Sequence, residues 1–238
     1  MEKFKITIPI ILVVLYTAMI LFASQQVKTN KLFFVSKNDY VTFQFNYQFI
    51  LMAVTIISLS LTYFINKENF VNYFSMGKIH APAKELKLFG IKANDSWMKT
   101  GISLSIIISL TTGIFMYLQL KQQNVNWALL QNGLIWILLF SLTNSFGEEM
   151  IYRMGIISPL KGLLSPITIY IISAILFGLP HLAGMPNGLI GATMAGILGF
   201  VLAKSIYETN GFFWAWAIHF LQDVIIIGSL FLMTTKNL

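Results

Sequence analysis

Seven apolar runs dominate this chain, at roughly residues 6–23, 47–65, 101–120, 127–150 and onward, 166–181, 188–204 and 212–233. Runs near 20 residues that carry almost no charge match the thickness of a bilayer's hydrocarbon core. Only 11% of the residues are charged and 56% are hydrophobic, whereas a soluble domain carries about 25% charged residues. A membrane β-barrel would instead alternate with period two in segments of about ten residues, and no such alternation is present. The expected fold is therefore all-α: a polytopic membrane helix bundle of about seven transmembrane helices.

The formal net charge of +7 is no sign of a nucleic-acid partner in such a chain; what matters is on which side the lysines lie. With the N-terminus cytoplasmic and all seven runs spanning, eleven of the 16 Lys and Arg residues fall on the cytoplasmic side: Lys3, Lys5, Lys67, Lys78, Lys84, Lys87, Lys92, Lys99, Arg153, Lys161 and Lys204. Five fall on the other side, namely Lys28, Lys31, Lys37, Lys121 and Lys236. This asymmetry favours N-inside, C-outside, with the 66–100 loop cytoplasmic. The first run, of about 18 residues, is long for the apolar core of a signal peptide, and "FASQQ" is a poor cleavage site. It reads as a retained span. Cysteine is absent, which removes disulfides, thiolate ligands and a cysteine nucleophile from consideration.

Chemistry concentrates in the second part of the chain. Residues 1–100 hold two spans and two polar loops with no catalytic pattern, and His80 in "GKIHAPAKE" reads as a solvated loop histidine. Residues 101–238 hold five spans and the intramembrane ionisable groups. The two parts are expected to form one membrane domain. Within the second part, Glu149 and Arg153, Phe177 and His181, and His219 and Asp223 are each spaced i, i+4, so each pair shares one helix face. "SPLKGLLSP" (158–166) reads as a turn. Glu148 and Glu149 then lie roughly 18 Å before it and His181 about 22 Å after it, at ~1.5 Å per residue. His219 and Asp223 lie about 12 and 18 Å into the last helix. The three pairs can thus meet at one depth. Small residues four apart in "GLIGATMAGILGF" (Gly191, Ala195, Gly199 and Ala192, Gly196) allow close helix approach in lipid.

An ionised carboxylate facing lipid at the bilayer centre costs about 2.5–3.5 kcal/mol on insertion scales. Glu148, Glu149, Arg153 and Asp223 must therefore face a protein interior or a wet cavity, and such a cluster is functional by default.

"EEMIYR" (148–153), "FGLPH" (177–181) and "HFLQD" (219–223) together resemble the ordered motifs EExxxR, FxxxH and HxxxN/D of the CPBP family of intramembrane proteases. That family comprises the CAAX prenyl endopeptidases and their bacteriocin-processing, Abi-like relatives. The resemblance spans about residues 125–230 and implies an intramembrane endopeptidase acting on a membrane-associated peptide or protein. It implies Glu148 as general base, His181 as a partner that polarises the water, and Glu149 with Arg153 as a clamp. His219 would stabilise the oxyanion, and Phe177 would help bind substrate. Tyr152 stands where many members carry phenylalanine. Members with asparagine at the last motif position have a donor there; ionised Asp223 does not, and would orient His219.

The resemblance leaves open a metal-free glutamate mechanism and a zinc site, for which Glu149, His181 and His219 would be the ligands with water as the fourth. No HExxH, GxGD or GxSG motif is present. Rival readings are a catalytically silent scaffold or immunity protein of the same family and a proton-coupled transporter, which also buries Glu, His and Asp. A bacterial cell membrane is the expected location.

Overall fold

The computed structural model describes residues 2–123, 125–183 and 188–234, and its regular structure there is helical, with only isolated β-bridges. Among the described residues nine α-helices follow in chain order: α1 (Glu2–Thr29), α2 (Asp39–Ile65), α3 (Lys67–Tyr73), α4 (Trp97–Lys121), α5 (Leu129–Glu149), α6 (Gly155–Leu160), α7 (Pro166–Gly178), α8 (Gly188–Thr209) and α9 (Phe213–Thr234). Among these residues six helical segments are long and apolar enough to cross a membrane, with α5 and α6 forming one segment of 32 residues, Leu129–Leu160. The expected run at 166–181 is the shorter apolar segment Pro166–Leu182, in which α7 ends in a 3-10 turn that carries His181. Of the lysines used for orientation, Lys236 lies outside the described residues.

Local chemistry sets the ends of these helices. Asn38, Asn66, Ser96 and Ser165 place side-chain oxygens on the first free N–H groups of α2, α3, α4 and α7, as N-caps do. Pro166 opens α7 at a position where a missing N–H costs nothing. The turn expected at 158–166 is present, and Gly162 supplies its left-handed residue at φ +85°. Outward faces are apolar: Ile106, Ile107, Leu110 and Ile114 of α4 and Leu134 and Ile135 of α5 are all exposed. That is the surface a bilayer would cover.

The small residues of α8 meet α7 closely. A Cβ on Gly178 would lie 2.7 Å from the Ala192 carbonyl oxygen, and one on Gly199 3.2 Å from Ala174 Cα. Gly191 and Ala195, two turns and one turn before Gly199, line a cavity instead. Helix α9 packs between α4 and α5. A Cβ on Gly101 or Gly133 would run into the rings of Trp214 or Phe231, which α9 lays against those two helices.

The 75–96 loop is structured and clasps the turn between α8 and α9. Lys78 N donates to Thr209 O, Phe212 N to Ser75 O, and Trp214 Nε1 to Ile79 O. His80 is exposed, as its loop setting suggests. Lys204, counted above on the cytoplasmic side, lies inside the fold. It is buried within α8, where it pairs with Glu208 and donates to Lys84 O at 2.8 Å. Glu208 also accepts from Trp97 Nε1 at 2.9 Å and Lys84 N at 3.1 Å. The apolar run stops at Lys204 in the sequence, but the helix continues to Thr209 because the charge is neutralised one turn later.

Candidate active site

Glu148 and Glu149 occupy the last turn of α5, immediately before a π-helical turn over Met150–Met154. Such turns insert a residue into an α-helix and recur at functional sites. The Tyr152 carbonyl in this turn accepts from Ser173 Oγ of α7 at 3.0 Å, so a backbone group disturbed by the π geometry stays satisfied.

The two adjacent glutamates point to different surroundings. Glu149 is fully buried. Its Oε1 lies 3.3 Å from Arg153 Nη1 and 2.7 Å from His219 Nδ1 on α9. Glu148 keeps some exposure and lines the cavity, with Oε2 3.5 Å from His219 Nε2. The i, i+4 pair of α5 and the first residue of the α9 pair are therefore joined in space, at the common depth that helix rise implies.

Arg153 is fully buried as well, and its guanidinium makes no hydrogen bond among the described residues. It is held by the Glu149 charge and by the face of Phe177, whose centroid is 3.8 Å from the guanidinium carbon. The planar cation over a ring is a geometry lysine would not reproduce. Phe177 is the hub of the site: its ring also meets Tyr152 at 5.4 Å, His181 at 4.8 Å and His219 at 5.7 Å between centroids. The Tyr152 hydroxyl is 2.9 Å from Thr17 Oγ1 of α1.

His181 Nδ1 is 2.9 Å from the Phe177 carbonyl oxygen. A ring N–H donating to that oxygen fixes the imidazole and leaves Nε2 available. Asp223 approaches His219 Nε2 only to 3.6 Å, and its Oδ2 accepts from Asn144 Nδ2 at 3.1 Å. The carboxylate in hydrogen-bond contact with His219 is Glu149.

These groups surround a cavity of about 300 Å³ whose lining includes Glu148, His181, His219, Asp223, Asn144 and Phe177. Its wall also includes Phe115, Met116, Met194, Leu198, Ile226 and Leu230. A smaller void of about 60 Å³ touches Glu148 and His181 from the side of Thr17, Tyr47 and Leu51. A mostly apolar cleft with a few polar groups on its wall suits a ligand that is largely hydrocarbon.

The ligand trio that zinc would use is not assembled. Glu149 Oε1 is engaged by His219 Nδ1 and by Arg153, and among the described residues no three His, Cys, Asp or Glu side chains are arranged to hold a metal ion.

The first two spans contribute polar groups that hydropathy did not flag. Gln48 of α2 donates from Nε2 to Asn144 Oδ1 at 3.3 Å and accepts from Thr143 Oγ1 at 2.9 Å. Asn144 was open to detection, because it precedes Glu148 by four residues and so shares its helix face. Gln48 was a buried amide within an apolar run, with nothing local to mark its partner.

Residues 128–225 match the family model described as type II CAAX prenyl endopeptidase Rce1-like. Neither a curated protein nor a solved structure matches the chain significantly.

Proposed function

We propose that this chain is an intramembrane endopeptidase in which Glu148 activates the attacking water, a reading supported by the match of residues 128–225 to the type II CAAX prenyl endopeptidase Rce1-like model. The observation that carries this reading is the division of labour within the glutamate pair. Glu149 is fully buried between Arg153 and His219, while Glu148 opens onto the cavity that His181 and His219 also line.

In this reading a water between Glu148 and His181 gives its proton to the Glu148 carboxylate. The hydroxide adds to the scissile carbonyl carbon, and negative charge gathers on the carbonyl oxygen beside His219 Nε2. Glu148 then passes the proton to the amide nitrogen as the C–N bond breaks. Glu149, fixed by Arg153, holds His219 by its Nδ1 edge and leaves Nε2 to the cavity. Phe177 keeps the guanidinium and both imidazoles in register. The first two spans complete the walls, so residues 1–100 and 101–238 act as one unit. The largely apolar lining suits a membrane-associated peptide or protein tail.

The test is hydrolysis of a fluorogenic peptide library by detergent-purified protein, wild type beside Glu148→Gln, with and without a zinc chelator. Activity that disappears in the variant and survives chelation supports glutamate catalysis; activity abolished by the chelator makes the enzyme metal-dependent. Full activity in Glu148→Gln, or no hydrolysis by wild type across the library, overturns the reading. The proposed orientation, N-terminus cytoplasmic, is checked by reporter fusions after residues 66 and 95, which should report the cytoplasmic side.

A further inference from the structure

Hydrolysis at this site needs donors for the developing oxyanion, yet two of the groups facing the cavity, Glu148 and Asp223, are carboxylates that accept when ionised. His219 supplies one N–H edge at most, since its Nδ1 is committed to Glu149. Gln222, also on the wall, has its amide 3.3 Å from Thr112 Oγ1.

We propose that Asn144 is a catalytic residue, the second oxyanion donor, with its amide locked in the donating orientation by Asp223 and Gln48. This rests on the endopeptidase reading above. The Asn144 amide is bonded on two of its edges: Oδ1 accepts from Gln48 Nε2 at 3.3 Å, and Nδ2 donates one hydrogen to Asp223 Oδ2 at 3.1 Å. Gln48 Oε1 in turn lies 2.9 Å from the Thr143 hydroxyl. The ionised Asp223 carboxylate, which only accepts, sets the direction of the Asn144 amide, and that amide cannot flip without facing its oxygen to Asp223. The second N–H of Nδ2 has no partner among the described residues, and Asn144 is on the cavity wall. Asn144 stands one helical turn before Glu148 on the same face of α5, roughly 6 Å along the axis. A carbonyl carbon attacked by water on Glu148 can thus turn its oxygen toward both His219 and Asn144.

Asp223 acts through this amide as a positioning residue. A preorganised donor of this kind strengthens its interaction as charge develops and costs no reorganisation at that moment.

The experiment compares wild type, Asn144→Ala, Asn144→Asp and Glu148→Gln in detergent, on the best peptide of the library. Its readouts are kcat, KM and inhibition by a peptide phosphonate that mimics the tetrahedral adduct. Asn144→Ala and Asn144→Asp should each lower kcat by about 10²–10³-fold, the usual loss on removing one oxyanion donor. KM should stay within about threefold, and phosphonate affinity should weaken in proportion to kcat/KM. A purely structural role would lower melting temperature and leave phosphonate affinity of the folded protein unchanged, and that result overturns the proposal. If the Asn144 variants fail to fold, Gln48→Ala keeps the amide and its Asp223 bond but removes the partner that anchors Oδ1. It should then weaken kcat and phosphonate affinity together by about tenfold, and wild-type values would overturn the proposal. Loss of activity in Glu148→Gln with full activity in both Asn144 variants sinks this inference alone; full activity in Glu148→Gln sinks the endopeptidase reading and this with it.

Discussion

His219 Nδ1 lies 2.7 Å from Glu149 Oε1, across 70 positions of chain, and this contact fastens the last helix to the glutamate pair. Glu149 thereby satisfies two partners at once, since the same oxygen is 3.3 Å from Arg153 Nη1. Its neighbour Glu148 points about 100° away around the helix and onto the cavity. Adjacent residues of one type thus face a buried ion pair and a cavity wall.

The first prediction separates these two carboxylates. Glu148→Gln should keep the fold, because the amide is nearly isosteric and its site is open, while turnover drops by about 10²–10⁴-fold for loss of a general base. Glu149→Gln should instead leave Arg153 buried without a counter-charge and cost about 3–5 kcal/mol of stability. Thermal denaturation in detergent beside peptide hydrolysis distinguishes them. Equal stability losses in the two variants would contradict the division.

Phe177 is expected to matter more than its lack of polar chemistry suggests. Its removal in Phe177→Ala empties a fully enclosed site, at about 3–5 kcal/mol for an aromatic truncation, and strips the ring face from Arg153. Phe177→Leu restores volume and not the face, so it should recover part of the stability and little of the activity. Parallel recovery of both would mean the ring serves packing only.

Gly178 tests whether helix approach places His181. A Cβ there would meet the Ala192 carbonyl oxygen at 2.7 Å and Gly196 Cα at 3.3 Å, both backbone atoms that cannot rotate away. Gly178→Ala should force α7 from α8, costing about 1–3 kcal/mol by overpacking, and reduce kcat by displacing His181 three residues on. Unchanged kcat in the folded fraction would show that the imidazole tolerates that shift.

How much of this could be read from sequence depended on range. The apolar runs were legible because bilayer thickness imposes a length on each helix, and even the short segment carrying His181 appeared as a run. The three i, i+4 pairs were legible because helix period writes them locally. Rise per residue put Glu149 and His219 at one depth, where they touch. What it could not supply was which carboxylate bonds His219: Asp223, four residues on, was the local candidate, and Glu149, 70 positions away, is the one in contact. The Gln48–Asn144 bond crosses two helices 96 positions apart, and amides weigh little in hydropathy. The burial of Lys204 was not legible for a related reason: its partners Glu208 and Lys84 are supplied partly by a loop whose path has no periodicity to reveal it.

That loop gives the last prediction. Lys204 and Glu208 have side chains only 4% exposed, and Glu208 also accepts from Trp97 Nε1 and Lys84 N, so one carboxylate holds α8, the start of α4 and the 75–96 loop together. Glu208→Ala should leave the Lys204 ammonium buried without its counter-charge, a loss of about 3–5 kcal/mol for a broken buried pair. Release should appear first in the loop, as faster tryptic cleavage at the exposed Lys84, Lys87 and Lys92. Neither Lys204 nor Glu208 lines the cavity, so kcat of the protein that remains folded should match wild type. Replacing both partners, Lys204→Met with Glu208→Leu, removes the stranded charge and should restore much of the stability while the loop stays cleavable, because the Trp97 and Lys84 bonds are still missing. A double variant as resistant to trypsin as wild type would show that the loop is held by its backbone bonds to Thr209 and Phe212 alone.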